Sequence, residues 1–350
     1  MAKITFPAAL AWTLGALCIA GLGDEALADT LLQSSRVIDI GGSKAAERAP
    51  VVSGVALSQQ GKLLAVAGDD HLVRVLRLED GQPLYELPAH TDWIRVVAFR
   101  PDGKMLATAG DDRQIRFWPA GRDAQPSPLP AHRQVIYSMA YSSDGRMLAA
   151  GGFERAVRIY DGDNGRLLRV FEAPVPDVRA VVFSPDGTRL AAAGGGGRIR
   201  IWDVATGKVA FDIEGHGRRT YTLAYSPDGR LLASAGCSRT VCLWDSQSGR
   251  SLGHLPERPC KVMGLVFCDN TTLAAGGSDN VIYLWDIAAR QQRAELRGHT
   301  GSVSTLAFHG ETRELVSGSF DTTVRVWNLT DQLQREASLL PESTARTGSR

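Results

Sequence analysis

A hydroxyl, an imidazole and a carboxylate recur at one fixed spacing in this 350-residue chain. His90, Thr108, Asp112 and Trp118 form the first set, and His299, Ser317, Asp321 and Trp327 repeat it. These are the parts of a nucleophilic triad, in which a base takes the hydroxyl proton and a carboxylate orients the base. The same groups can instead form a hydrogen-bonded chain, because an imidazole donates at one nitrogen and accepts at the other while an indole N–H donates. Duplication favours the second arrangement, since a catalytic site is rarely built twice in one chain. Other fragments that look like sites fail on spacing. Gly194–Gly197 has the glycine content of a phosphate loop, but no Gly-Lys-Ser/Thr follows it. Asp161-Gly162-Asp163-Asn164-Gly165 has a calcium-loop composition, yet Arg166 stands where an EF-hand needs glycine and no helices flank the segment. The histidines show no metal-ligand spacing, and no Cys-x-x-Cys-His haem motif exists. Neither a metal nor a cofactor is expected.

Two landmarks measure the frame that must hold these groups. The residue closing each apolar run before a turn falls at Leu57, Phe99, Tyr141, Phe183, Tyr225, Phe267 and Phe308. A second landmark falls at Leu76, Trp118, Tyr160, Trp202, Trp244, Trp285 and Trp327. Both rulers step by 42 residues, with a single step of 41 in each. Such a period signals a repeat architecture. Within a unit, Ile199-Arg200-Ile201-Trp202 and Val324-Arg325-Val326-Trp327 alternate apolar and polar residues, as half-buried strands do. Arg100-Pro101-Asp102-Gly103, Ser184-Pro185-Asp186-Gly187 and Ser226-Pro227-Asp228-Gly229 supply turns, with Pro fixing φ and Gly taking the conformation that follows. Thr206-Gly207 and Ser248-Gly249 mark a further turn. Each unit therefore holds four short strands, a to d in chain order. So small a sheet must stack on its neighbours to bury its faces.

Composition narrows the function classes. The 37 glycines fit a chain of many tight turns, and 39 Lys+Arg against 38 Asp+Glu leave a net charge of +1. A protein that tracks nucleic-acid phosphates would carry a basic surplus, and none is present. With 44% hydrophobic and 22% charged residues, the chain is neither disordered nor a multi-pass membrane protein. Residues 1–28 differ from the rest. Lys3 is a short positive region, Ala8 to Gly23 is apolar, and Ala26-Leu27-Ala28 offers a small-x-small cleavage pattern. The apolar run is shorter than the ~20 residues that span a bilayer. Export to the periplasm or the extracellular space with cleavage after Ala28 is expected, with no transmembrane segment in the mature chain; retention as an anchor is the alternative.

The repeats resemble the WD40 family of β-propellers. Trp202-Asp203, Trp244-Asp245 and Trp285-Asp286 carry the name-giving dipeptide, with Tyr160-Asp161, Trp327-Asn328 and Trp118-Pro119 as variants. Gly215-His216 and Gly298-His299 match the opening of a repeat, as do Ala89-His90 and Ala131-His132. The resemblance implies an all-β fold: a single closed propeller of seven four-stranded antiparallel blades over residues 51–330, monomeric as a ring. It also implies that a strand from the N-terminal segment 29–50, Arg36 to Ile40, closes the last blade, leaving 331–350 as a flexible tail. In the family, the duplicated His, Asp, Ser/Thr and Trp brace a blade internally. Blade 5 keeps His216, Ser234 and Trp244 but has Ser238 for the aspartate, and blade 6 lacks the histidine. Blades 1, 3 and 4 are expected to rely more on apolar packing.

Family geometry further implies a partner surface on the face that carries the d–a and b–c loops. The positions there include Trp93, Arg95, Tyr137, Phe153, Arg179, Arg219, Tyr221, Lys261 and Phe320. Aromatic and arginine side chains anchor interfaces most often, each offering large area with a polar handle. The same geometry puts Cys237 and Cys260 on one face, where a disulfide could join them in an oxidising compartment; free, buried cysteines are the other possibility. The resemblance therefore implies a non-enzymatic scaffold for a protein or peptide partner. The alternative is a propeller enzyme, or a small-ligand or metal-binding protein, using the central channel.

Overall fold

The computed structural model describes residues 30–32, 34–41, 49–121, 125–130 and 132–330; the expected export signal at 1–28 and the tail at 331–350 lie outside them. The elements are strands throughout, gathered into seven sheets. Blade 2 shows how the sequence makes one sheet. Strands a (Ile94–Phe99), b (Met105–Gly110) and c (Ile115–Pro119) are full length, while strand d is only Ser127–Pro128. Gly103 closes the a–b turn at φ +71°, and the Asp102 carboxylate accepts the Lys104 N–H at 3.0 Å.

Strand b is buried on both faces. Ala107, Thr108 and Ala109 have no exposed surface, and the corresponding Ala191, Ala192 and Ala193 of blade 4 are equally buried. Small side chains here let sheets stack near the ~10 Å spacing of packed sheets. Larger residues fill the space between, as where Val73, Val75 and Leu87 of blade 1 meet Ile94, Val97 and Leu106 of blade 2. The innermost strands touch in succession around the ring, and Val303–His309 of blade 7 returns to Val52–Leu57 of blade 1.

The N-terminal segment closes that ring. Arg36–Asp39 pairs antiparallel with strand c of blade 7, Thr323–Asn328. Ile38 and Ile40 are buried against Leu76, Leu78, Val324 and Val326, while Val37 faces out. A further strand, Thr30–Leu32, pairs in parallel with Gln291–Leu296, so blade 6 has five strands. The 42-residue period gave no sign of it.

Strand a slips register near its start in every blade. The unpaired residue is Ser53, Arg95, Tyr137, Arg179, Tyr221, Met263 or Ser304. A bulge of this kind re-aims the side chain it carries. In blades 2 and 3 a glycine ends strand b against the incoming chain: a Cβ on Gly110 would lie 2.1 Å from the Trp93 carbonyl oxygen, and one on Gly152 would lie 1.9 Å from that of Val135, whereas blade 7 makes the same bulge with Ser319 there. Without those Cβ atoms, the N–H groups of Asp111 and Phe153 donate to these carbonyls at 2.9 Å.

If the clasp holds the ring shut by burial, Ile38→Ala should cost about 2–4 kcal/mol. Val37→Ala, next to it but exposed, should stay within about 0.5 kcal/mol. Urea denaturation followed by tryptophan fluorescence reads both. Equal effects would mean that backbone pairing alone closes the blade.

Candidate functional site

The two triad-like sets are hydrogen-bonded chains inside blades. In blade 2 the Trp118 indole N–H donates to Thr108 Oγ1 at 3.0 Å, and Thr108 lies 2.8 Å from His90 Nε2. His90 Nδ1 lies 2.8 Å from the Asp112 carboxylate. One orientation satisfies every group: indole to hydroxyl, hydroxyl to Nε2, and Nδ1–H to carboxylate. Blade 7 repeats it with Trp327, Ser317, His299 and Asp321 at 2.9, 2.8 and 2.8 Å. Thr108 and Ser317 have no exposed surface, so no substrate reaches either hydroxyl.

Blades 5 and 3 rebuild the chain with different atoms, and blade 6 replaces it. In blade 5, Ser238 takes the aspartate's place 2.7 Å from His216 Nδ1, and Ser234 and Trp244 complete the series. Blade 3 departs from the expected reliance on apolar packing. The Tyr160 hydroxyl donates to His132 Nε2 at 2.6 Å, and Glu154 lies 3.2 Å from Nδ1. The phenol of Tyr160 spans the gap that the missing Ser or Thr leaves. In blade 6, Arg258 occupies the histidine's position, its guanidinium 4.1 Å from the Tyr283 ring centre and 4.7 Å from that of Trp285. The Tyr283 hydroxyl donates to Asp279 at 2.6 Å.

A second series runs alongside and was missed in the sequence. Two residues before each strand-c landmark stand Arg74, Arg116, Arg158, Arg200 and Arg325, with Cys242 and Tyr283 at the two exceptions. Arg74 pairs with Asp70 at 2.6 Å, Arg116 with Asp112 at 2.7 Å, Arg158 with Glu154, and Arg200 with Asp212 at 2.6 Å. The signal was available, because these arginines keep the 42-residue step.

The bulge residues meet at the mouth of the central channel. Arg95 grips Asp111 through two hydrogen bonds of 2.8 and 2.6 Å and lies over Trp93, 3.8 Å from its ring centre. Tyr137 follows, 6.0 Å from Arg95 on one side and 3.6 Å from Arg179 on the other. Arg179 donates to Asp177 at 2.6 Å, and Arg219 reaches the other oxygen of that buried carboxylate at 3.2 Å. A continuous ladder of cations, rings and carboxylates thus joins blades 2 to 5. Tyr221 borders the same cavity, of about 190 Å³, with its hydroxyl accepting from Cys237 Sγ at 3.1 Å. Phe153 and Phe320, 52% and 42% exposed, stand apart on the b–c turns of blades 3 and 7, and Lys261 is exposed in the loop leading into blade 6.

The remaining sequence expectations resolve simply. All four cysteines in the described residues are free, so the Cys237–Cys260 bridge is not formed. Cys237 faces Tyr221, whereas Cys260 is buried beside Asp279, and burial together with that carboxylate pushes its thiol up to about 12. Asp161 closes a turn by accepting the N–H groups of Asp163 and Asn164, and Gly194–Gly197 forms the b–c turn of blade 4. Among the described residues no three His, Cys, Asp or Glu side chains converge to hold a metal ion.

Against known proteins, the model of the WD domain, G-beta repeat, matches seven times, at residues 44–76, 81–119, 125–161, 165–203, 207–245, 247–286 and 290–328. The chain belongs to the WD40 repeat family. Individual relatives share only short stretches with it. The chain is 46% identical over 63 residues to the U3 snoRNP-associated protein-like EMB2271 of Arabidopsis thaliana, covering 18% of this chain and 13% of the relative. It is 38% identical over 84 residues to Protein ROOT INITIATION DEFECTIVE 3 of the same plant, covering 23% and 19%. Mitochondrial division protein 1 of Schizosaccharomyces pombe is 36% identical over 72 residues, covering 21% and 11%. The match therefore spans less than a fifth of each relative.

Burial sets the protonation of three histidines of this WD40 propeller. It lowers His132, with help from the Arg158 charge, and His216 to about 4, and it lowers His90 as well. Burial would raise the Asp112 carboxyl, but hydrogen bonds from His90 and Arg116 outweigh it and hold the group below the usual carboxylate range. A histidine depressed in the fold contributes stability that is complete above its unfolded value near 6.5 and is lost as pH falls towards 4. The propeller should therefore lose on the order of 2 kcal/mol for each of His132 and His216 between pH 7 and pH 4.5. A His216→Leu variant should start less stable and lose less over that interval. Urea midpoints at the two pH values measure the difference, and parallel losses in both proteins would remove His216 from the acid response.

Proposed function

We propose that this WD40 propeller is a non-enzymatic scaffold that binds a protein or peptide partner on the face carrying the d–a and b–c loops. The observation that carries the reading is the ladder from Asp111 through Arg95, Trp93, Tyr137, Arg179 and Asp177 to Arg219. Arg95 and Arg179 are held by carboxylates and stacked on rings, so their side chains lose little freedom when a partner docks. Flat π surfaces with fixed polar edges suit a peptide or protein better than a small charged ligand, whose charge would have to displace Asp111 or Asp177. Phe153 and Phe320 add exposed apolar area on the same face, and Lys261 and Arg219 add exposed charge. The propeller works as a single ring outside the cytoplasm, the reading that the small-x-small pattern at Ala26-Leu27-Ala28 supports.

A Trp93→Ala/Arg95→Ala/Tyr221→Ala variant should lose the partners that wild type captures from envelope extract, while its circular dichroism and melting temperature show an intact ring. Capture of the same partners by both proteins would place the interface elsewhere. N-terminal sequencing of the mature protein should read from Asp29; a chain still starting at Met1 would contradict cleavage.

A further inference from the structure

The outer rim of the ring is not uniform. An edge strand exposes a row of unpaired N–H and C=O groups, which proteins usually blunt with proline or charge, shorten, or cover. Blade 1 ends in Pro83–Pro88, with proline at both ends, and blade 2 in the two residues Ser127–Pro128. Blade 6 is covered by Thr30–Leu32. Blade 3 is neither shortened nor covered, and only the charges of Arg169 and Glu172 and a bulge at Leu168 interrupt its edge. Its strand d, Leu167–Glu172, is a full-length edge without proline, and Leu167, Leu168 and Val170 are 48%, 40% and 53% exposed. The outer strands of blades 4, 5 and 7 each expose one large aliphatic side chain, Val209, Leu252 and Val37.

Beside this edge a groove of about 630 Å³ runs between blades 3 and 4, floored by Met147, Ile159, Phe171 and Val204. Its far wall carries Asp186 and Asp203. The cation within it, Arg169, is engaged by the Val204 and Ala205 carbonyl oxygens at 3.0 and 2.9 Å, and Arg189 stands 3.9 Å from Asp203. The chain itself shows what covers a blade edge: Thr30-Leu31-Leu32, an extended segment with adjacent leucines, lies parallel on Gln291–Leu296. We propose that the outer edge of blade 3 is a second docking site, at which an extended segment of a partner protein adds as a fifth strand. Main-chain hydrogen bonds to the edge supply affinity, as in strand addition generally. Adjacent aliphatic side chains of the segment cover Leu168 and Val170 and enter the groove. A flanking lysine or arginine meets Asp186 and Asp203. This surface lies on the rim, separate from the channel mouth, so it stands whether or not the loop face binds a partner.

The test uses the full chain and a short fluorescein-labelled synthetic peptide with two adjacent leucines flanked by valines and lysines. Saturable binding by fluorescence anisotropy is expected, with slowed amide exchange in Leu167–Glu172. A Leu168→Asp/Val170→Asp variant should bind at least about tenfold more weakly. Both positions are exposed, so its melting temperature should match wild type. Trp93→Ala/Arg95→Ala should bind the peptide normally. Replacing the peptide's lysines with glutamates should weaken binding about fivefold or more, since the far wall is acidic. Undiminished binding by the aspartate variant, or protection confined to other strands, would overturn the site. A wild-type dimer in light scattering that the aspartate variant converts to monomer would also overturn it, because the edge would then pair with a second copy.

Discussion

Strand b of each blade lies in the middle of its sheet and is covered on both faces by neighbouring blades. That double burial favours small side chains at the middle of the strand, as the run Ala107-Thr108-Ala109 shows. It also leaves no room for a Cβ where strand b ends against the incoming chain, as at Gly110 and Gly152. The close approach at those glycines accompanies the register slip in strand a, which blade 7 makes with Ser319 at the same place. The slip turns Arg95, Tyr137, Arg179 and Tyr221 towards the channel. The slip thus decides which side chains the channel mouth presents.

The polar chains inside the blades answer a different demand. A hydroxyl or imidazole on strand b or the d–a loop is buried and needs a partner. Blades 2 and 7 meet the need with one set of residue types, but blades 3 and 5 meet it with Tyr160, Glu154 and Ser238 instead. What persists through these exchanges is the geometry of donors and acceptors. Arg258, seated where the histidine would be and stacked over Tyr283 and Trp285, replaces hydrogen bonding with a cation–π contact.

The repeat and the strand pattern were legible in the sequence because each is tied to a fixed offset within 42 residues, while the closing strand and the channel-mouth positions followed from the family resemblance. The rest depended on contacts that offsets do not encode. Tyr160 reaches His132 across 28 positions by virtue of its length, which an aromatic landmark does not reveal. Thr30–Leu32 belongs to no repeat, so no period could find it. Two cysteines assigned to one face need not meet, and Cys237 turns to Tyr221 while Cys260 sinks beside Asp279. The ladder's residues were identifiable, but their mutual pairing was not: Asp177 serves arginines from two different blades.

The clasp has a consequence for how the molecule assembles. Ser35 bonds to Val326 across 291 positions, and the strand it precedes is made before any blade while its partner follows the other six blades. Blades 1 to 5 can form from local hairpins during synthesis, but blade 7 must wait for both ends of the chain. Closure of so long a loop is slow and leaves strand edges open to other chains in the meantime. Ring formation is therefore the step at which a nascent chain is most open to interference.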